Sequence, residues 1–154
     1  MIGPYAVSHE LESHRAPTGK QEDCISARKA AEEFSADYEF SFAEGALLLQ
    51  RSDYLAARSE RRIEEIRRSG IHQGPEELLT QAAESRRLLR EAADAAKHAD
   101  RAVLFLGEHY TMSGEANSRG NITLPENQLA LLRAVSEVQE NIAVVVFAGR
   151  PLDL

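Results

Sequence analysis

The chain has 154 residues, enough for one domain with a substantial buried core. Its net charge is −7, with 18 Lys and Arg interspersed among 25 Asp and Glu, so it lacks the uncompensated positive field that nucleic-acid binding requires. Cys24 is the single cysteine, which excludes an intrachain disulfide and a cysteine-based metal site, and no apolar run is long enough to span a membrane.

The opening "MIGPYA" reads as the end of a strand running into a Gly3-Pro4 turn. A helix is expected over about Glu22–Phe34, where Cys24, Ala27, Ala31 and Phe34 share an apolar face that would make the thiol a core group. "YEFSF" (Tyr38–Phe42) alternates aromatic and polar residues with the period of a strand. Two helical stretches follow, about Ala46–Arg68 and Pro75–His98, separated by the turn "SGIHQG". The first has sparse apolar positions and reads as peripheral. Its "RSERRIEEIRR" segment sets Glu60, Glu64 and Glu65 three to four residues from arginines, the spacing of a solvated, internally ion-paired face. The second starts on Pro75, suited to a first helical turn, and aligns Leu78, Ala82, Leu89, Ala92 and Ala96.

"RAVLFLG" is a continuous apolar run of the kind found in parallel strands covered on both faces. The helix after it is expected to open with Thr123 and Glu126 as a capping box and Pro125 in the first turn. Leu131, Leu132, Val135 and Val138 supply its core face. "NIAVVVFAG" is a second continuous apolar strand. Strands alternating with helices predict an α/β fold, a three-layer sandwich around a mostly parallel, doubly wound sheet. Ligands of such sheets bind beyond the carboxyl ends of the strands, where the stretch from Gly107 to Ile122 and the tail "GRPLDL" both emerge.

Common catalytic signatures fail. Neither a dinucleotide fingerprint, a P-loop nor a G-x-S-x-G elbow occurs. "HELESH" separates His9 and His14 by five residues, which on a helix places them about 140° apart, too far around to share a metal. All five histidines read as surface residues, and neither a metal nor another cofactor is expected.

The segment "GEHYTMSGEANSRGNI" (Gly107–Ile122) is the specific feature. Strand-to-helix connections usually take about 2–6 residues, and much longer ones tend to be functional or disordered. It carries two glutamates, Glu108 and Glu115, with Arg119 beyond them. On spacing alone each glutamate reads first as a solvated surface group.

The surrounding residues add a resemblance. "ADRAVLFLGEHYTMSGEANSRGNITLPENQLALLRAV" followed by "IAVVVFAGRPLDL" resembles the second domain of family-3 glycoside hydrolases, the β-glucosidase and β-xylosidase family, in particular its bacterial periplasmic-type β-glucosidase branch. The shared elements are Gly107-Glu108 closing a strand, Ser113-Gly114-Glu115-Ala116 with Ser118-Arg119, Leu124-Pro125 with Gln128, and Gly149-Arg150-Pro151-Leu152 closing the next strand. "IGPYA" and "FAEG" match more loosely, and the region 46–77 departs from the pattern.

The resemblance implies a two-domain retaining β-glycosidase in which an N-terminal (β/α)8 barrel carries an aspartate nucleophile and this domain supplies the general acid/base. That acid maps to Glu115, with Glu108 as the second choice. Arg119 would orient the loop, stabilise neighbouring carboxylates or contact substrate, an ordinary surface ion pair being the alternative. The implied substrate is a β-linked glucoside or related oligosaccharide, and the implied partner is the barrel. At 154 residues the chain cannot contain such a barrel, which takes roughly 250. It is therefore expected to be one partial α/β-sandwich domain, incomplete at both ends and inactive alone. With no signal peptide visible, a cytoplasmic location is favoured and a periplasmic or secreted parent stays open. The other reading is a stand-alone α/β module whose loop contacts a ligand or a partner protein.

Overall fold

A computed structural model describes residues 1–6, 25–48, 75–109, 112–113 and 119–154, with side chains in the third segment described from Gln81 onward. The elements in chain order are a short 3-10 turn Pro4–Ala6, α1 (Ala27–Glu32), α2 (Pro75–Lys97), β1 (Ala102–Gly107), α3 (Glu126–Ser136) and β2 (Ile142–Phe147).

The two apolar runs form the expected parallel pair, in step from Ala102 opposite Ile142 to Gly107 opposite Phe147. On the other side of β1, Ile2 bridges Leu104 and also Ala43, both in parallel. The Ile2 and Phe105 N–H groups donate to Val103 O and Ile2 O. Gly3 is required in this narrow slot: its φ is +116°, and a Cβ would stand 2.3 Å from the carbonyl oxygen of Phe105. A further parallel bridge joins Thr123 to Asp153.

Strand alternation sends β1 side chains to two cores, which makes the three layers. Ala102, Leu104 and Leu106 pack with Ala92 and Ala96 of α2 and Leu131 and Val135 of α3. Phe105 faces the other way, onto Tyr5 and Ala6, with Ala27, Leu48 and Phe147 against them. The fold is α/β, as expected.

Details depart from expectation for physical reasons. In α2 the buried line is Leu88, Ala92 and Ala96, spaced by four, while Ala82 is exposed. The Tyr38–Phe42 strand does not form. Its ladder partner is only residues 1–3: the Met1 ammonium donates to Ser41 O at 2.6 Å, Ala43 N–H to Met1 O and Gly3 N–H to Ala43 O. Tyr38, beyond that reach, is 65% exposed. The alternating rings instead contact one another in file, Tyr38 to Phe40 to Phe42, with the Arg28 guanidinium 4.9 Å from the centre of the last.

Among described residues the first helix starts at Ala27, because Ser26 caps it by accepting from the Lys29 N–H at 3.2 Å. Phe34 lies past its end and is exposed, so it does not share the face assigned to it. Cys24 and nearly all of the Ala46–Arg68 stretch lie outside the described residues; Ala46–Leu48 are not helical. The Thr123–Glu126 capping box is also absent. Pro125 itself is the N-cap of α3, and Thr123 is held by its bridge to Asp153 and by Asn121 Oδ1, which accepts from its N–H. Val138, beyond the end of α3, is exposed rather than part of the core face.

The largest difference is β2. Val144, Val145 and Val146 are 39%, 40% and 36% exposed, whereas Leu104 and Leu106 are completely buried. Among the described residues β2 pairs only with β1, so its valines meet solvent where a covered strand was expected.

Candidate functional site at the carboxyl ends of the strands

Both strands end on backbone held at unusually close range. A Cβ on Gly107 would sit 2.0 Å from the carbonyl oxygen of Phe147, so a residue without a side chain is needed there. The Gln128 side chain, wholly buried at the start of α3, clamps the same glycine: Oε1 accepts from Gly107 N–H at 2.7 Å and Nε2 donates to Gly107 O at 2.9 Å. Both polar groups of a buried strand end are thereby satisfied by one amide.

The next residue is Glu108. Its N–H donates to Phe147 O at 2.9 Å, and its carbonyl accepts from the Tyr5 hydroxyl at 2.6 Å, with Tyr5 stacked on Phe147 at 4.8 Å. Its side chain has no exposed surface. Arg119 Nη1 donates to Oε1 at 2.8 Å and Arg150 Nε donates to Oε2 at 3.3 Å. Burying a lone carboxylate would cost several kcal/mol, roughly, and two guanidinium donors offset that cost.

The same guanidinium groups reach into the long connection. Arg150 Nη2 donates to the backbone carbonyl of Met112, and Arg119 Nη1 lies 3.8 Å from the Met112 sulfur. Gly149 leaves room for the next residue: a Cβ there would stand 2.8 Å from Ser113 Oγ. His109 is buried beside Glu108, which corrects its assignment to the surface; His98 is exposed as expected, and His9, His14 and His72 lie outside the described residues.

Of the sequence-predicted site residues, Glu108 and Arg119 are thus brought into direct contact. Glu115 lies outside the described residues, between Ser113 and Arg119. Sequence reasoning missed Arg150 as a site residue, although it stands in the quoted "GRPL", and it missed Tyr5. Only the in-step register of β1 and β2 reveals that Arg150 stands beside Glu108, 42 positions earlier. Among the described residues no three His, Cys, Asp or Glu side chains are grouped to hold a metal, and no helix is long and apolar enough to cross a membrane.

Residues 11–154 match the Glycosyl hydrolase family 3 C-terminal domain. Over 67 residues, 44% of this chain, the sequence is 42% identical to thermostable beta-glucosidase B of Acetivibrio thermocellus and, to the same degree, to the periplasmic beta-glucosidase of Salmonella typhimurium. The matched segment spans 9% of the length of each of those relatives. Among solved structures, the fold is similar to part of a beta-glucosidase from Listeria innocua (TM-score 0.63, 24% identity, 98% of this chain and 16% of that one). It is likewise similar in fold to part of a beta-glucosidase from Bifidobacterium adolescentis (TM-score 0.60, 23% identity, 94% of this chain and 16% of that one).

Proposed function

Because this chain belongs to glycosyl hydrolase family 3 through that family's C-terminal domain, we propose that it is the acid/base-bearing part of a retaining β-glycosidase, with Glu115 as the proton donor. The relatives' names support a β-glucoside-like substrate. The observation that carries the assignment is the state of the competing group. The connection holds two carboxylates, Glu108 and Glu115, and Glu108 has both oxygens engaged by guanidinium groups and no exposed surface. That leaves Glu115 as the carboxylate of the connection to meet a glycosidic oxygen. Arg119 then serves the loop through Glu108 rather than by binding sugar.

The chemistry needs two carboxyl groups about 5–5.5 Å apart, one attacking the anomeric carbon and the other protonating the departing oxygen, then deprotonating water. In this reading the nucleophile lies on a (β/α)8 barrel outside this chain. The donor must hold its proton at the moment of bond cleavage, which requires the dry, carboxylate-lined cleft formed by both domains. In this reading, Glu115 without the barrel has no nucleophile to work with.

The test has two arms. The 154-residue chain is expected to leave aryl β-glucosides uncleaved between pH 4 and 8; turnover at an ordinary glycosidase rate would refute the divided site. In the full-length protein, Glu115→Ala is expected to slow hydrolysis of alkyl glucosides by about 10²–10⁴-fold, the usual contribution of a general acid. It should slow dinitrophenyl glucosides, whose leaving group needs no proton, far less. Equal losses would remove Glu115 from the acid role.

A further inference from the structure

The Glu108 cluster joins three points that are distant in sequence. One is the end of β1, the second is Arg150 at the end of β2, and the third is Arg119, which closes the segment containing Glu115. Arg150 also holds the carbonyl of Met112, and Ser113 seats against Gly149, so the entry to the same segment is tied to the same strand ends. Between Ser113 and Arg119 only residues 114–118 remain, and each flank of that interval carries or touches a guanidinium that also bonds the Glu108 carboxylate. Glu108 is held in turn by its own backbone, which bonds Phe147 O and the Tyr5 hydroxyl at the end of the sheet.

We propose that Glu108 is a positioning residue, whose carboxylate holds Arg119 and Arg150 at the strand ends and so anchors Met112–Ser113 and Arg119, the two flanks of the interval that contains Glu115. This deepens the reading of Glu115 as the acid and rests on it. The physical reason is reach. A general acid displaced by even 1 Å from the glycosidic oxygen loses much of its effect, and proton transfer needs heavy atoms about 2.6–3.2 Å apart. A loop residue achieves that only if its flanks are fixed. A buried carboxylate bonded by two charged donors is a firm anchor, since charge-assisted hydrogen bonds are roughly twice as strong as neutral ones.

Three variants test the clamp: Glu108→Gln, which keeps shape and removes charge, Arg119→Ala, and Arg119→Lys. Arg119 is 23% exposed on its side chain, so its variants keep the test available if the buried Glu108 site does not tolerate change. In the 154-residue chain, hydrogen exchange of the Met112 amide, bonded to His109 O, is expected to rise about tenfold or more in Glu108→Gln and Arg119→Ala, with the β1 amides unchanged and Arg119→Lys intermediate. In the full-length protein, kcat/KM for alkyl glucosides should fall about 30-fold in Arg119→Ala and that for dinitrophenyl glucosides less than about threefold, with partial rescue by lysine. Unchanged exchange at Met112, or equal loss for both substrates, would overturn the clamp. If Glu115→Ala itself fails to distinguish the two leaving groups, the catalytic reading falls, and the exchange result alone then decides whether Glu108 holds the segment.

Discussion

β1 and β2 are written in nearly the same alphabet, six residues each, and they run in step, yet they occupy different environments. Leu104 and Leu106 have no exposed surface, while Val144 and Val146, their partners across the ladder, keep 39% and 36%. The difference is one of neighbours. β1 has residues 1–3 on one side, β2 on the other, and packed layers above and below. Among the described residues β2 has β1 as its only ladder neighbour, and just its end residues Ile142 and Phe147 pack into the two cores. A continuous apolar run states which surroundings a strand suits, and the elements present in the chain decide whether it receives them.

The sharpest way to break this comparison is a matched pair of truncations. Leu104→Ala removes buried volume between the helices and the sheet and should cost about 2–5 kcal/mol in urea denaturation. Val144→Ala, directly across the ladder, should cost less than about 1 kcal/mol because the side chain is already in contact with water. Equal losses would mean that β2 is covered in solution. A smaller effect sharpens the account of where β1 ends: Gln128→Ala leaves the buried N–H and carbonyl of Gly107 without partners and should cost about 1–3 kcal/mol by the same measurement.

The smallest effect sets a floor away from both strands. The Glu44 carboxyl is pushed above its ordinary range by partial desolvation first and by the nearby Glu84 second, with Arg87 partly offsetting them. A carboxyl with a raised folded-state pKa is protonated more readily in the fold, so stability declines as pH rises from the ordinary glutamate value through the raised one. Glu44→Gln should therefore raise the melting temperature slightly at pH 7, and the gain should vanish below the ordinary glutamate range.

Much of this fold was legible because its signals are local. The period of α2, the apolar runs of β1 and β2 and the core positions Leu131 and Val135 follow from residue spacing, and the fold class follows from their order. What was not legible depends on partners far away in sequence. "YEFSF" alternates like a strand, but the edge offered to it is three residues long. Thr123 has capping-box spacing, yet a bridge to Asp153 takes its backbone first. At the site, two glutamates and an arginine could be named from the sequence. That Glu108 is buried against Arg119 and Arg150 could not, because it depends on the register between strands 40 residues apart. No sequence pattern distinguishes a glutamate that meets solvent from one enclosed by two guanidinium groups.

The bridge between Thr123 and Asp153 has a metric consequence. Leaving the sheet side by side at Gly107 and Phe147, the two connections meet again at that bridge, one after sixteen residues and the other after six. The shorter path shows that six residues are enough to cover the distance. The longer one therefore carries ten residues more than that span requires, and the contacts of Met112 with Arg150 and of Arg119 with Glu108 gather both ends of that surplus back against the strand ends.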